Sequence, residues 1–317
     1  MKKAAYFTSL LFSLLFCVFC APTFGQKPDD KQKVRTVTIP ISIFTKQELK
    51  ERQPEEYVQA ERLIVKEDNE EQQILSIRSI GESPLSIALL IQDDLAPEFN
   101  LQLEDIRKFI RGLPRGTRVM VAYIRGGSMQ VRQKFTDDLE KAAKSLRIVT
   151  SSPSSAPRDP YDSVSEALPR FDALPSGRRA ILLFSDGFDS SDGLNMASVA
   201  HSTDLDRATL KAQKKGVPVY SFFFPATNTN NGNSDLIVAA QGALNRLSED
   251  TGGRAFMHGT FAPISFDPFF RDLTLALNRQ FALTYLSTHM KKGYHKVKVL
   301  STNPEVKIEH PNGYYYR

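Results

Sequence analysis

The sequence predicts an α/β fold: a mostly parallel sheet with helices on both faces, flanked by a small β-sandwich built from the two chain ends. Three observations predict it. Leu85-Ser86-Ile87-Ala88-Leu89-Leu90-Ile91 and Ala180-Ile181-Leu182-Leu183-Phe184 are short unbroken apolar runs, as in strands buried on both faces. Apolar residues at helical spacing alternate with further strand-like runs around them. Residues 34–80 and 281–316 read as β structure alone. Pro84 and the acidic turn Gln92-Asp93-Asp94-Leu95-Ala96 bound the first run at strand length, against the competing reading of a buried helix. Ligands of open α/β sheets bind beyond the carboxyl ends of the strands, so residues 92–96 are the first place to seek function.

The first 25 residues read as a leader. Lys2 and Lys3 precede an apolar run over residues 10–19, and a small residue closes Thr23-Phe24-Gly25. Cleavage is expected between Gly25 and Gln26. The run is short for a retained membrane anchor, and Phe19 is a poor neighbour for a lipidated Cys20. N-terminal sequencing of exported protein should therefore begin at Gln26 or within a few residues; an intact Met1 in the membrane fraction would contradict cleavage. Cys17 and Cys20 both lie in the leader, so the mature chain is expected to have no disulfide, thiol nucleophile or thiolate metal site. Losing Lys2 and Lys3 lowers the formal net charge from +5 to +3. That mild, interspersed charge argues against nucleic acid as a partner. No second long apolar run follows, so no integral membrane segment is expected after cleavage.

Val37, Ile39, Ile41 and Ile43 alternate with Thr38, Pro40 and Ser42 as a half-buried strand. Pro40 lacks an N–H, which places that strand at a sheet edge. Residues 63–65 and 73–77 flank Glu67-Asp68-Asn69-Glu70 as a hairpin. From Pro84 the period changes. Leu101, Ile106, Phe109, Ile110 and Leu113 share a helix face, and residues 119–124 form the next strand. Gly126-Gly127 turns into a strand at 129–132. Thr136-Asp137-Asp138 starts a helix with Leu139, Ala142, Ala143 and Leu146 on one face. A Ser/Pro-rich loop over 151–160 leads to a helix over 161–174. After the strand at 180–184 come a helix over 204–215 closed by Gly216, a strand over 217–224, a helix over 236–247, a short strand at 255–257 and a helix over 266–277. Strands return at 281–286, 295–300, 306–308 and 314–316. The expected organisation is a leader (1–25), an N-terminal β segment (26–82), an α/β domain (83–280) and a C-terminal β segment (281–317) packing with 34–80.

Several of these pieces occur together in a telling order. They are residues 86–91, Phe135-Thr136-Asp137-Asp138, Tyr161-Asp162-Ser163-Val164-Ser165-Glu166-Ala167-Leu168, residues 178–187 ending in Ser185-Asp186-Gly187, Thr251-Gly252-Gly253, and the tail from Gln280 to Gly313-Tyr314-Tyr315. The set resembles the von Willebrand factor A domain, in particular the exported bacterial proteins called VWFA-related, over nearly all of the mature chain. The resemblance implies a Rossmann-like fold and work in protein recognition or adhesion. It also implies a metal-ion-dependent adhesion site. That site consists of Asp-x-Ser-x-Ser after the first strand, a Thr in a later loop and an Asp after the fourth strand. Such hard oxygen donors suit Mg²⁺ and leave a position open for a partner's carboxylate. Here Gln92 stands at the first Asp position, Asp94 and Ala96 at the two Ser positions, and Arg158 near the Thr position; only Asp186 matches. The resemblance thus implies the fold with a degenerate site and no confident metal or cofactor, Mg²⁺ being the one to weigh.

Three functions compete. The preferred one is an exported, periplasmic or extracellular, non-enzymatic protein-binding module that works without metal through the loops at 92–99, 151–162, 186–195 and 228–234. The second is a metal-assisted adhesin with a rearranged acidic site at Asp93, Asp94 and Asp186, Asp162 and Asp189 being further acids. A plainer reading of those acids is solvated loop residues capping helices, with Arg158 as counter-charge. The third is a hydrolase. Ser185-Asp186 has no Gly-x-Ser-x-Gly elbow, and His201, His258, His289, His295 and His310 show no metal-ligand spacing.

Overall fold

In chain order the strands are β1 (Arg35–Thr45), β2 (Leu63–Glu67), β3 (Glu70–Ser79), β4 (Leu85–Gln92), β5 (Arg118–Arg125), β6 (Ser128–Thr136), β7 (Arg178–Ser185), β8 (Val219–Phe223), β9 (Ala255–Phe256), β10 (Gln280–Ser287), β11 (Gly293–Ser301), β12 (Val306–Glu309) and β13 (Gly313–Tyr316). The α-helices are α1 (Leu103–Arg111), α2 (Leu139–Lys144), α3 (Pro160–Ala167), α4 (Thr203–Lys215), α5 (Ser234–Thr251) and α6 (Asp267–Asn278). The computed structural model describes residues 33–45, 63–152, 158–175, 177–191, 199, 202–227 and 234–316. The expected leader with Gly25 and Gln26, the stretch 46–62, and parts of the expected recognition loops (153–157, 192–198 and 228–233) lie outside the described residues. Among the described residues, no helix is long and apolar enough to cross a membrane.

Six strands form the α/β sheet in the order β6-β5-β4-β7-β8-β9. Every pairing is parallel except the β5–β6 hairpin. That hairpin turns at Gly126 and Gly127, whose φ values of 53° and 73° suit the primed turn that matches strand twist. β4 is buried at every position, because helices cover both faces. Alternate residues point to opposite sides. Ile87, Leu89 and Ile91 pack with α1, α2 and α6, while Ala88 and Leu90 pack with α3, α4 and α5. Leu101, expected on an inward helix face, is 78% exposed. A 3₁₀ turn over Pro97–Gln102 precedes α1 and turns Phe99 inward instead. Phe99 meets Phe184, Phe224 and Phe266 edge-on, taking the inward position in place of Leu101.

The flanking strands form one antiparallel sheet in the order β12-β1-β10-β3-β2-β11-β13. The two chain ends interleave, since β10 lies between β1 and β3. A small sandwich was the expectation; a single paired sheet wraps one core. Val306 and Ile308 of β12 and Tyr314 of β13, from opposite ends of the strand order, pack on the same cluster of Ile39, Ile41, Val65, Leu283, Tyr285 and Val299. β1 is not an edge strand, contrary to the expectation from Pro40. Its second neighbour, β12, pairs only from Ser42 to Thr45, so Pro40 sits where that flank is unpaired and no N–H is required. The β2–β3 turn is as expected, with Asp68 and Asn69 at φ 49° and 73°.

Inside this sheet Glu67 is fully buried. Its Oε1 accepts from Tyr314 Oη at 2.7 Å and Ser287 Oγ at 2.9 Å, with Arg35 at 3.4 Å and His295 at 3.3 Å. A second histidine gives a pH prediction. His310 Nε2 accepts the Val299 N–H at 3.2 Å, and Nδ1 donates to the Pro311 carbonyl at 2.9 Å. Burial holds its pKa below the ordinary value. Such a histidine binds fewer protons when folded, so its contribution to stability is complete above about pH 6.5 and declines as pH falls through that value. Thermal melts from pH 7.5 to 5 should show this decline, and His310→Gln should flatten it.

Candidate functional site

Between β4 and β7 the chain reverses its direction of winding: α1 carries it from β4 to β5 across one face, while α3 precedes β7 on the other. The carboxyl ends of these neighbours therefore open a crevice at the switch point, with Gln92 on one side and Ser185-Asp186 on the other.

Gln92 ties the crevice shut. Its Oε1 accepts from Ser185 Oγ at 2.6 Å and from the Asp186 N–H at 3.2 Å, and its Nε2 donates to Asp94 Oδ1 at 2.8 Å. A neutral amide does this because it both donates and accepts; an ionised aspartate here would accept only. Asp186 is fully buried. Its Oδ1 accepts the Phe188 N–H at 3.2 Å, and its Oδ2 takes Arg158 Nη1 at 2.6 Å. The Arg158 side chain is 17% exposed and its guanidinium lies over the Phe188 ring at 5.5 Å. Backbone bonds lock the two loops together, since Ser190 N–H donates to the Arg158 carbonyl and Arg158 N–H to Ser190 Oγ, both at 2.8 Å. Asp94 faces the same space. Burial raises its pKa, and the Asp186 charge raises it further, while Gln92 and Arg158 pull it back. Ala96 is buried and presents only a methyl group, its N–H bonding the Pro225 carbonyl at 2.9 Å. The cavity lined by Gln92, Asp94, Gly126, Arg158 and Asp159 holds about 10 Å³, space for about one water.

The remaining predicted acids scatter. Asp93 is buried but turns away; its Oδ1 takes Arg147 at 2.6 Å and the Thr150 N–H at 3.2 Å. Asp93, Asp94 and Asp186 thus do not form one site. Asp162 sits in the first turn of α3, with Arg207 at 3.8 Å. Asp189 is buried and joins two acids that sequence reasoning passed over, Asp159 and Asp204; one oxygen from each lies within 4.8 Å of the others. Asp159 is the N-cap of α3, its Oδ1 accepting the Asp162 N–H at 2.7 Å. Burial, with the charges of Asp189, Asp204 and Asp162, pushes its pKa up to about 7. Asp159-Pro160 and Ser202-x-Asp204 are helix-start signals, so each acid has a local explanation in the sequence. A cavity of about 680 Å³ lies at the opposite edge of the sheet, beside Leu85 and Arg178.

No family model matches the sequence, and no curated protein matches it. Von Willebrand factor type A domains are among its structural neighbours. One from Catenulispora acidiphila is 11% identical, with a TM-score of 0.44, and the match covers 83% of this chain and 65% of that one. The domain of a type V pilus tip protein from Porphyromonas gingivalis is 9% identical, with a TM-score of 0.42, over 61% of this chain and 94% of that one. An aerotolerance-related membrane protein from Bacteroides fragilis is 15% identical, with a TM-score of 0.43, over 62% and 98%.

Proposed function

We propose that the chain is an exported, non-enzymatic protein-binding module whose recognition surface is the carboxyl edge of the α/β sheet, set in shape without a metal. It comprises a leader (1–25), an α/β domain (83–280) and two β segments (26–82 and 281–317) that flank it in sequence. Arg158 carries the proposal: its guanidinium stands 2.6 Å from Asp186, at the one acid that matches the adhesion-site pattern. A fixed positive charge there repels a cation and replaces it as counter-charge. Gln92 adds the amide bridge between β4 and β7, and Ala96 offers no ligand. Ser185 Oγ is engaged by Gln92 and, among the described residues, by no histidine, which speaks against a nucleophile at this edge.

The test is capture of a partner from envelope extract by the mature protein, with EDTA or Mg²⁺ in the buffer. Retention should be equal in both and should fall when surface side chains of the loops at 92–99 and 186–191 are changed. Retention that is lost in EDTA, restored by Mg²⁺ and abolished by Asp186→Asn would establish the metal-assisted adhesin instead.

A further inference from the structure

Asp159, Asp189 and Asp204 come from three separate segments: the N-cap of α3, the stretch after β7 and the first turn of α4. One carboxylate oxygen from each lies within 4.8 Å of the other two. Two oxygens bound to the same Ca²⁺ at 2.3–2.6 Å are at most about 5 Å apart, so all three reach a common ion.

Helix capping accounts for only part of this arrangement. Asp159 uses Oδ1 on the Asp162 N–H. Asp189, 1% exposed, uses Oδ1 on Ser191, accepting its N–H at 2.9 Å and its hydroxyl at 2.5 Å. Asp189 Oδ2 is buried and has no hydrogen-bond partner among the described residues. A buried charged oxygen left unpaired is expensive, and an isolated cap would turn it to water. Arg207, half exposed, pairs with Asp204 and also faces Asp162 at 3.8 Å, so among the described residues its one guanidinium is shared between two carboxylates.

We propose that Asp159, Asp189 and Asp204 bind a Ca²⁺ ion that clamps the loop after β7 to the starts of α3 and α4. Calcium fits better than magnesium because three carboxylates on independent segments, two of them partly exposed, leave room for waters and carbonyls in a loose shell of six to eight oxygens. The site is distinct from the crevice, where the Arg158 side chain runs to Asp186. The ion ties these three segments together outside the crevice, where the shape of the recognition surface rests on the Arg158–Asp186 pair, and it does not contact a partner's carboxylate. Its existence does not depend on the proposed recognition function.

The experiment is calorimetric titration of the EDTA-stripped, desalted full chain with CaCl₂ and with MgCl₂, alongside thermal melts. Calcium should bind at about one per chain with a Kd of roughly 10⁻⁴–10⁻³ M, the range of weak calcium modules. At ten times Kd it should raise Tm by roughly 3 °C. Asp189→Asn, nearly isosteric, should abolish both signals; Asp204→Asn should weaken binding about tenfold or more and carries the test if Asp189→Asn folds poorly. Arg158→Met should retain calcium binding, which separates this site from the crevice. No heat and no Tm change up to about 10 mM calcium, an unchanged response in both Asp variants, or an equal response to magnesium would overturn the assignment.

Discussion

Arg158→Met is expected to destabilise the protein by about 3 kcal/mol, the lower end of the range for breaking a buried ion pair. The size follows from what stays behind. Asp186 is fully buried, and the guanidinium 2.6 Å away is removed while the carboxylate remains. Methionine keeps much of the stem's packing against Phe188, so the loss is electrostatic and not a cavity. The low end is expected because Asp186 keeps the Phe188 N–H. Asp186→Asn in the Arg158→Met background should recover most of the loss, since a neutral amide no longer needs a counter-charge. Urea unfolding of the two single variants and the double variant measures the coupling directly. Additive losses would show that the pair does not organise the crevice. So would full tolerance of Arg158→Met, and the case for a preset, metal-free surface would go with it.

Removing residues 281–317 should unfold the N-terminal strands altogether. β10 is the shared neighbour of β1 and β3, and β11 is the outer neighbour of β2. The truncation strips β1 of both partners, because β12 goes as well. It leaves β2–β3 as a lone hairpin, which is marginal in water. Leu283, Tyr285, Val297 and Val299 leave the shared core, and the buried Glu67 loses Ser287, His295 and Tyr314. Limited proteolysis should cut freely within β1, β2 and β3 (residues 35–45 and 63–79) in the truncated chain and not in the intact one. Unchanged protection of that segment would mean that the N-terminal strands hold a core of their own, against the register described above.

How much of this was legible beforehand depends on the range of the interaction. The unbroken runs ending at Ile91 and Phe184 announced strands covered on both faces, because only burial on both sides removes the polar alternation. The Gly126-Gly127 and Asp68-Asn69 turns were readable from residue type, since backbone conformation there is a local matter. Gln92, Asp94, Ala96, Arg158 and Asp186 were all named from the pattern, and Arg158 was expected as a counter-charge to the loop acids with its partner left open between Asp94 and Asp186. Pro40 misled because an edge is a property of the neighbour's length, and β12 is short. Leu101 misled because Phe99, two residues earlier, wins the inward position through contacts with Phe184, Phe224 and Phe266, distant in sequence. Asp93 and Asp94 are adjacent in the chain yet face opposite ways, one to Arg147 and the other to Gln92. Asp159, Asp189 and Asp204 look like three unrelated acids until α3, α4 and the end of β7 are packed together. Strand and helix identity follow from local pattern and burial, which the residues themselves encode. Which carboxylates share a space, and which find a guanidinium first, is decided by the sheet order, because only the folded chain brings those loops within a few ångströms.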